Sequence, residues 1–347
     1  MKGIIIAGGL GTRLRPLTYT RPKPLVPVAN RPFLEYQVAL LRKHGIEEIA
    51  FATNYMAEAI ESHFGDGARF GVRMRYAVEK SPLGTGGGIR NAADLFPGEP
   101  VVVFNGDVLT DFDIGAILAF HRRKQSLATI TLAEVPSPHP FGIVILDAQG
   151  RVEAWREPSE EAKKALAVDP DLVPTGKDLI NAGLYVLEPE FLARIPTGAP
   201  SSIERDIYPA LIAEQGAMYG IAPGGFWMDV GRAEQLLAAT QAVLTGAVRA
   251  EVAPLAVGEG TQIASSAWID AHTAIGRDCR IGEGCRLEDC MVMDRVTVGA
   301  HVRLRRVIVD EGTTLEDEVV VEGAGSGGPL PVVAAGSFLK RGTRLHL

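Results

Sequence analysis

The chain has little cysteine, no excess of positive charge and no long apolar run. Only three of its 347 residues are cysteine, an odd number without a CxxC pair, which predicts neither a disulfide framework nor a zinc site. The net charge of −7 argues against a protein that binds nucleic acid. No stretch reaches the ~18 apolar residues that a membrane span needs. The short apolar N-terminal run is also too brief for a signal peptide, so we expect a cytoplasmic protein without a membrane partner.

The length and a change of pattern along the chain predict two domains. A chain of 347 residues exceeds one ordinary domain of ~100–200 residues. Up to about residue 240, short apolar runs alternate with helical patterns, which indicates crossover units in an α/β fold. We expect the first domain over residues 1–245, with a Rossmann-like, mostly parallel sheet and helices on both faces. Ligands of such sheets bind beyond the carboxyl ends of the strands, which places the expected site at Gly8–Arg13 and Asn105–Asp107.

Beyond residue 250 the pattern changes to a period of six. An aliphatic side chain recurs at five positions: Ile263, Ile269, Ile275, Ile281 and Leu287. This period suits neither a helix nor an antiparallel sandwich and is typical of a left-handed hexapeptide-repeat β-helix. We therefore predict a short β-helix domain over residues 250–347, with about two to three coils. The open ends of such a coil need to be covered, so we also expect a homo-oligomer formed through this domain.

The N-terminal run GGLGTRLRPLTYTRPKPLVPVANRP, Gly8 to Pro32, carries the strongest chemical signal. A glycine-rich turn after a strand lets backbone N–H groups approach phosphate oxygens, because no Cβ intervenes. Arg13 and Lys23 add cations that can neutralise charge on a transferring phosphoryl group. The prolines of the run stiffen the loop that carries these cations. A dinucleotide-binding fold is the competing interpretation, but the GxGxxG spacing is absent.

This run resembles the signature of the sugar-1-phosphate nucleotidyltransferases, most closely the mannose-1-phosphate guanylyltransferases. The resemblance covers nearly the whole chain and continues through six further segments: EKSPLGTGG (Glu79–Gly87), FNGDV (Phe104–Val108), FG (Phe141–Gly142), NAGLY (Asn181–Tyr185), SIERDIYP (Ser202–Pro209) and GFWMDVG (Gly225–Gly231). It implies condensation of GTP with mannose 1-phosphate to GDP-mannose and pyrophosphate, with Mg²⁺ as cofactor.

The resemblance also implies roles for individual residues. The implied catalytic residues are Arg13, Lys23, Asp107 and Asp229, of which the two aspartates bind the metal. The implied nucleotide site comprises Ala7, Gly8, Gly9, Gly11, Thr12, Arg13, Lys23, Glu79, Gly84, Thr85 and Asp107. The implied sugar site comprises Gly142, Glu157, Asn181 and Gly183. These roles suit the chemistry, since an ionised sugar phosphate that attacks an α-phosphorus needs charge neutralisation and alignment but no general base.

The sequence departs from the family pattern at one position. The family places a lysine that grips the sugar phosphate where this chain has Pro158, directly after Glu157. The phosphate therefore needs another cation, and the nearby candidates remain open: Arg156, Lys163, Lys164 and Lys177.

Two alternative functions remain at this point. One keeps the chemistry and changes the substrates, as in thymidylyl or uridylyl transfer to glucose 1-phosphate. The other is a non-catalytic, nucleotide-sugar-binding regulatory subunit. The resemblance implies that Glu79, five positions before Gly84, faces the edge of the base. A carboxylate there favours GTP, because it only accepts hydrogen bonds and guanine offers two adjacent donors where uracil and thymine offer one. The sugar and any allosteric effector stay undetermined by the sequence.

Overall fold

The computed structural model describes residues 1–137, 139, 141–156, 176–325 and 330–346. The chain divides into two compact units, each built from two segments of the sequence. The sheet unit comprises Met1–Gly9 and Gln37–Trp227, and the β-helix unit comprises Leu10–Tyr36 and Met228–Leu347. The linear boundary at residues 245–250 stays a prediction, and the compact units group the segment Leu10–Tyr36 with the C-terminal part of the chain.

The described strands up to Asp229 include those of the main sheet and a few short pairs. They are β1 (Lys2–Ile6), β2 (Pro27–Val28), β3 (Arg31–Pro32), β4 (Glu48–Thr53), β5 (Arg73–Val78), β6 (Val101–Asn105), β7 (Val108–Thr110), β8 (Ala128–Ser137), β9 (Ile143–Leu146), β10 (Val152–Arg156), β11 (Gly176–Leu187), β12 (Met218–Ile221) and β13 (Trp227–Asp229).

The main sheet has nine strands in the order β10-β9-β11-β6-β1-β4-β5, with β8 paired to β11 and β12 paired to β8. The pairs β6-β1, β1-β4 and β4-β5 are parallel, as the alternation of strands and helices predicts. Strand β11 runs antiparallel to β6, β8 and β9, so the second half of the sheet is mixed. The α/β fold class is confirmed.

Seven α-helices are described: α1 (Phe33–Lys43), α2 (Ala57–Phe64), α3 (Gly84–Ala93), α4 (Ile114–Lys124), α5 (Pro189–Leu192), α6 (Tyr208–Ala213) and α7 (Ala233–Leu244). An aspartate directly before the helical pattern that starts at Ile114 predicts an N-cap, and the Asp113 side chain does cap α4, accepting a hydrogen bond from the Ala116 N–H group at 3.0 Å. The sequence pattern predicts a helix over Gly88–Leu95, and the structure has helix α3 over Gly84–Ala93, so the helix begins four residues earlier than predicted. Within the described ranges, none of the helices has both the length and the apolar character of a membrane span.

The central strands of the sheet unit are buried on both faces. Ile4, Ala50 and Val103 are 0% exposed and belong to one hydrophobic cluster. Ile4 pairs with Ala50 on β4 and with Val103 on β6, so the three side chains lie in one row across the sheet. Strands covered on both faces have continuous apolar runs, which is why β1 and β6 were recognisable in the sequence.

Three sheets of short parallel strands build the β-helix. The strands are β14 (Gln262–Ile263), β15 (Trp268–Ile269), β16 (Ala274–Ile275), β17 (Arg280–Ile281), β18 (Arg286–Glu288), β19 (Met291–Val292), β20 (Thr297–Val298), β21 (Arg303–Arg305), β22 (Ile308–Val309), β23 (Thr314–Leu315), β24 (Val320–Glu322), β25 (Val332–Val333), β26 (Phe338–Leu339) and β27 (Arg344–His346). Their order is β14-β17-β20-β23-β26, β15-β18-β21-β24-β27 and β16-β19-β22-β25.

This arrangement agrees with the expected left-handed hexapeptide-repeat β-helix, but it is longer than expected. Two of the sheets contain five strands, so about five coils form instead of two to three. The later coils do not follow the strict period of six, because β19 and β22 each start five residues, not six, after the start of the preceding strand. The three cysteines are unpaired and buried in the β-helix core.

Candidate active site

The carboxyl ends of β1, β4 and β5 carry the first group of predicted site residues in the sheet unit. Ala7 is buried, Gly8 lies against Asn54, and Gly9 is exposed. The Asn54 side chain donates a hydrogen bond from Nδ2 to the Glu79 carbonyl at 2.9 Å. Gly8 and Glu79 therefore meet at one edge of the sheet through Asn54, a residue that the sequence analysis did not identify. This is the edge where ligands of such sheets bind.

The turn that carries Asp107 is held at the end of β6 by two contacts. The Gly106 N–H group donates to the Ile6 carbonyl at 2.9 Å. Gln37 donates from Nε2 to the carbonyls of Asn105 and Val108, at 2.8 Å each. Gln37 is only 2% exposed, so it braces the turn on both sides of Asp107. Gln37 is not among the residues predicted from the sequence, although a glutamine on the apolar side of a helix is a usable signal.

The β-helix unit contains Leu10–Tyr36, which we call the signature segment. Gly11 has φ +61, a left-handed conformation that favours glycine, and a Cβ there would lie 2.8 Å from the Lys23 Cβ. Thr18 donates from Oγ1 to the Gly11 carbonyl at 2.9 Å. Thr12 begins a short 3-10 turn, Thr12–Leu14, and is exposed. The predicted residues Gly11 and Lys23 are thus brought together in a folded loop.

Arg13 lies beside Gly231, in the segment of the β-helix unit that follows the predicted metal ligand Asp229. It is exposed, and its Nη2 would be 3.0 Å from a Cβ at Gly231. Gly231 comes two residues after Asp229, the last residue of β13. The guanidinium group is therefore next to the backbone segment that carries one of the predicted metal ligands.

Glu79 caps helix α3 with its side chain. Its Oε2 accepts a hydrogen bond from the Leu83 N–H group at 2.9 Å. Its Oε1 lies along the helix, where a Cβ at Gly88 would be 2.6 Å away. Burial raises the pKa of the Glu79 carboxyl group, and the hydrogen bond from Leu83 opposes that shift. Gly88 thus leaves room for a carboxylate that is half-buried at the end of β5.

Gly84 and Thr85, at the start of α3, line an open cleft of about 530 Å³ in the sheet unit. Thr85 donates from Oγ1 to the Glu204 carboxylate at 2.7 Å and accepts from the Ile203 N–H group at 3.0 Å. The Gly86 N–H group donates to the Ser201 carbonyl at 2.9 Å. The first turn of α3 can therefore be glycine-rich and still ordered, because these contacts hold it.

Asn181 and Gly183 lie in an irregular part of β11, where its pairing with β8 shifts register. The Asn181 Oδ1 accepts from the Gly183 N–H group at 3.0 Å, and its Nδ2 donates to the Tyr185 hydroxyl at 2.7 Å. Trp227 donates from Nε1 to the Ala182 carbonyl at 2.8 Å. Tyr185 and Trp227 thus support this predicted sugar site, a role that was not predicted for them from the sequence.

Gly142, the next predicted sugar ligand, follows Phe141, whose ring contacts Trp227. The Phe141 and Trp227 rings lie edge to face with centroids 6.0 Å apart. Gly142 itself is half-buried and directly precedes β9. Phe141, beside Gly142, and Ala182, between Asn181 and Gly183, thus contact the same indole ring. Glu157, the fourth predicted sugar ligand, lies outside the described residues.

The substitute cation for the sugar phosphate has two candidates among the described residues. Lys177, on β11, forms an ion pair with Glu134 on β8, and both side chains are exposed. Arg156 is exposed at the end of β10. Pro158, Lys163 and Lys164 lie outside the described ranges.

Comparison with known proteins identifies the relatives of this chain. The model of the nucleotidyl transferase family matches residues 2–246, and the GMPPB C-terminal domain model matches residues 252–341. Mannose-1-phosphate guanylyltransferase from Mycobacterium tuberculosis is 37% identical over 309 residues, 87% of this chain and 82% of the relative. Mannose-1-phosphate guanylyltransferase catalytic subunit beta from Danio rerio is 36% identical, over 93% of this chain and 95% of the relative. Among solved structures, HddC from Yersinia pseudotuberculosis complexed with GMP-PN has a TM-score of 0.57 and 25% identity, and covers 69% of this chain and 97% of its own.

Proposed function

Because the chain belongs to the nucleotidyl transferase family, we propose that it condenses GTP with mannose 1-phosphate to give GDP-mannose and pyrophosphate. The observation that carries the proposal is the match to mannose-1-phosphate guanylyltransferases over most of the chain. The folded signature segment, which packs Gly11 against Lys23, supports a phosphate-binding role in addition. A binding-only relative could have lost these features without consequence.

The reaction requires alignment and neutralised charge. An oxygen of the sugar phosphate attacks the α-phosphorus of GTP in line with the pyrophosphate that leaves. That oxygen is already ionised, so no side chain has to remove a proton. Arg13 and Lys23 supply positive charge for the triphosphate, and the backbone N–H groups of Gly8 and Gly9 can donate to its oxygens. The folded loop holds the cations in advance, which reduces the entropy lost when GTP binds.

Asp107 and Asp229 are the proposed ligands of Mg²⁺. Asp107 follows β6 and Asp229 is the last residue of β13, and carboxylate oxygens are the ligands that this hard cation prefers. The bracing of the Asp107 turn by Gly106 and Gln37 fits a ligand that has to stay in place. A bound Mg²⁺ would neutralise charge on the phosphate oxygens.

The sugar site of the proposal consists of Gly142, Asn181 and Gly183, with Glu157 as a further ligand outside the described residues. Polar backbone and amide groups beside an indole ring suit a hydroxylated ring with one apolar face. For the phosphate of the sugar, Arg156 and Lys177 are the candidates whose positions are described. Lys177 is paired with Glu134, so it would have to exchange that partner for the phosphate.

We further propose that the protein forms a homo-oligomer through the β-helix. Large apolar side chains are exposed at both ends of the coil: Val257 (40%), Ile263 (38%) and Trp268 (47%) at the start, and Phe338 (57%) and Leu345 (39%) at the finish. Burying such side chains against another copy would be favourable. A cytoplasmic location is also proposed, and the three unpaired thiols support it.

A substrate matrix tests the proposed function. GTP, UTP, dTTP, ATP and CTP are each combined with mannose 1-phosphate and glucose 1-phosphate, and pyrophosphate release is measured with Mg²⁺ present. We expect the fastest release with GTP and mannose 1-phosphate, and a loss of release in Asp107→Asn. Preference for UTP or dTTP would instead support uridylyl or thymidylyl transfer. Release with no pair above the Asp107→Asn background would support a regulatory subunit.

A further inference from the structure

One face of the β-helix is covered by other parts of the same unit. In its two-residue strands the second side chain points into the β-helix core, as Ile275, Val292 and Val309 do, and the first points outward. On the other two faces outward residues such as Arg280 and Arg286 are exposed. On the face formed by β16, β19 and β22 the outward residues are apolar and buried: Ala274 (1%), Met291 (2%) and Ile308 (0%).

The signature segment and helix α7 contact this face. Thr240 on α7 donates from Oγ1 to the Met291 sulfur at 3.3 Å and accepts from the Ala29 N–H group at 3.3 Å. Asn30, in the tight turn between β2 and β3, donates from Nδ2 to the Ile275 carbonyl at 2.7 Å. The segment that carries Arg13 and Lys23 is thus attached to the end of β16.

Arg21 makes a second attachment, at the end of β22. Its Nη2 lies 3.0 Å from Asp310 Oδ1 and 2.7 Å from Glu311 Oε2, and its Nη1 donates to the Met293 sulfur at 2.9 Å. Asp310 is 0% exposed, and its Oδ2 has no hydrogen-bond partner among the described residues. A buried carboxylate depends strongly on its cation, so Arg21 is held in one position. The Arg21 side chain is only 14% exposed, and both of its terminal nitrogens, Nη1 and Nη2, already have partners. It is therefore not available to a phosphate.

We infer that Arg21 and Asp310 are a positioning pair, through which the β-helix holds Lys23 in place for the triphosphate. This inference rests on the proposed function of Lys23. Arg21 is separated from Lys23 by Pro22, and Pro24 follows, so the Pro-Lys-Pro link is stiff. A displacement of Arg21 therefore moves Lys23 as well. On this view the hexapeptide domain belongs to the catalytic apparatus in addition to mediating assembly.

A double-mutant cycle in the full-length chain tests the inference. Arg21→Met should lower kcat/KM for GTP by about 10²-fold, since a misplacement of about 1 Å can have that effect. The KM for mannose 1-phosphate should stay within about threefold. In the Lys23→Met background the same Arg21 substitution should change kcat/KM by less than about threefold, because residues that act together are non-additive. Arg341→Met, which removes the exposed β-helix ion pair with Glu318, is the matched control and should retain full activity.

A double variant in which both partners are uncharged distinguishes the positioning of Lys23 from the stability that the ion pair contributes. In Arg21→Met combined with Asp310→Asn, no buried charge is left unpaired, so thermal stability should recover while kcat/KM for GTP stays low. Recovery of both, or additive effects of Arg21→Met and Lys23→Met, would overturn the inference. Should Arg21→Met not fold, Asp310→Asn alone should still lower kcat/KM for GTP, and wild-type activity in it would equally overturn the inference. Full activity of Lys23→Met would instead refute the proposed role of Lys23, and this inference with it.

Discussion

Replacing Glu79 by glutamine removes a negative charge at the end of β5 and keeps the shape of the side chain. In the structure Oε2 accepts the Leu83 N–H group, and Oε1 lies beside Gly88. A glutamine can still accept from Leu83 through its amide oxygen, so the start of α3 should be preserved. Its amide nitrogen would then occupy the position of Oε1 and present a donor. Guanine presents N–H donors at N1 and N2. A favourable hydrogen bond from guanine to Oε1 of Glu79 would therefore be replaced by a repulsive contact between a guanine donor and the glutamine NH2 group.

The magnitude follows from the loss of one hydrogen bond to a charged group. Such a bond contributes about 1.5–3 kcal/mol. Since 1.4 kcal/mol corresponds to a factor of ten, kcat/KM for GTP should fall by roughly 10- to 150-fold. The value for UTP should stay constant or rise, because a glutamine can donate to a uracil carbonyl. The preference for GTP over UTP should therefore narrow by at least about tenfold.

The assay is pyrophosphate release with GTP, UTP and dTTP at saturating mannose 1-phosphate. Glu47→Gln, an exposed change before the amino end of β4, is the control and should have no effect. Gly88→Ala should act in the same direction as Glu79→Gln, because the added Cβ would lie 2.6 Å from Oε1 and displace the carboxylate. An unchanged ranking of the three nucleotides in Glu79→Gln would refute the assignment of Glu79 to the base.

The pH dependence gives a second readout for Glu79. Burial raises the pKa of its carboxyl group above the ordinary value of 4.5, so the accepting, ionised form is lost as the pH falls through that raised pKa. As the pH is lowered, kcat/KM for GTP should therefore begin to fall at a higher pH than the titration of an ordinary glutamate would cause. This acidic decrease should be absent in Glu79→Gln.

The raised pKa of Glu79 also means that the folded state binds the proton more tightly than the unfolded state. Protonation of Glu79 therefore stabilises the folded state at low pH, and this contribution is lost as the pH rises through the raised pKa. At neutral pH it is absent, so Glu79→Gln should not destabilise the protein there.

Three further predictions follow from the same structure. Asp107→Asn should lower turnover at least ~10²-fold by removing charge stabilisation in the transition state, and near-normal turnover at saturating Mg²⁺ would contradict its role. The three buried thiols should react with a thiol reagent only after unfolding, because burial raises their pKa, to about 12 for Cys290; rapid labelling of the native protein would disprove this. Light scattering should give the mass of a dimer or larger, and Trp268→Asp or Phe338→Asp should reduce it; a monomeric mass for the unsubstituted chain would exclude the proposed assembly.

The parallel part of the sheet was predictable because its central strands are buried on both faces. Continuous apolar runs such as Ile4–Ile6 and Val101–Phe104 are typical of strands that helices cover on both sides. The placement of Asp107 followed from one rule, that ligand-binding residues come after such strands. Gln37 was not predictable in the same way, because its hydrogen bonds to the turn depend on how α1 packs. The resemblance to the nucleotidyltransferases is confirmed by the family match.

The start of α3 was predicted four residues too late, since three consecutive glycines disfavour a helix by propensity. Tertiary contacts override that preference here. The Gly86 N–H group donates to the Ser201 carbonyl, and Gly88 leaves space for Glu79. The glycines are therefore required by close approach to neighbouring groups, an environment that no local pattern describes.

The attachment of the signature segment to the β-helix is the least predictable feature, and yet the sequence contains a signal for it. In a hexapeptide coil exposed on all faces, the outward position of each strand should be polar, as at Arg280 and Arg303. Ala274, Met291 and Ile308 depart from that rule in three neighbouring strands of one face and are all buried, which indicates that something covers that face. Which segment does so depends on pairs such as Arg21 and Asp310, 289 residues apart in the chain. Arg21 lies within the run Gly8 to Pro32 that the sequence marks as phosphate-binding, whereas the fold uses its side chain to join that run to the coil.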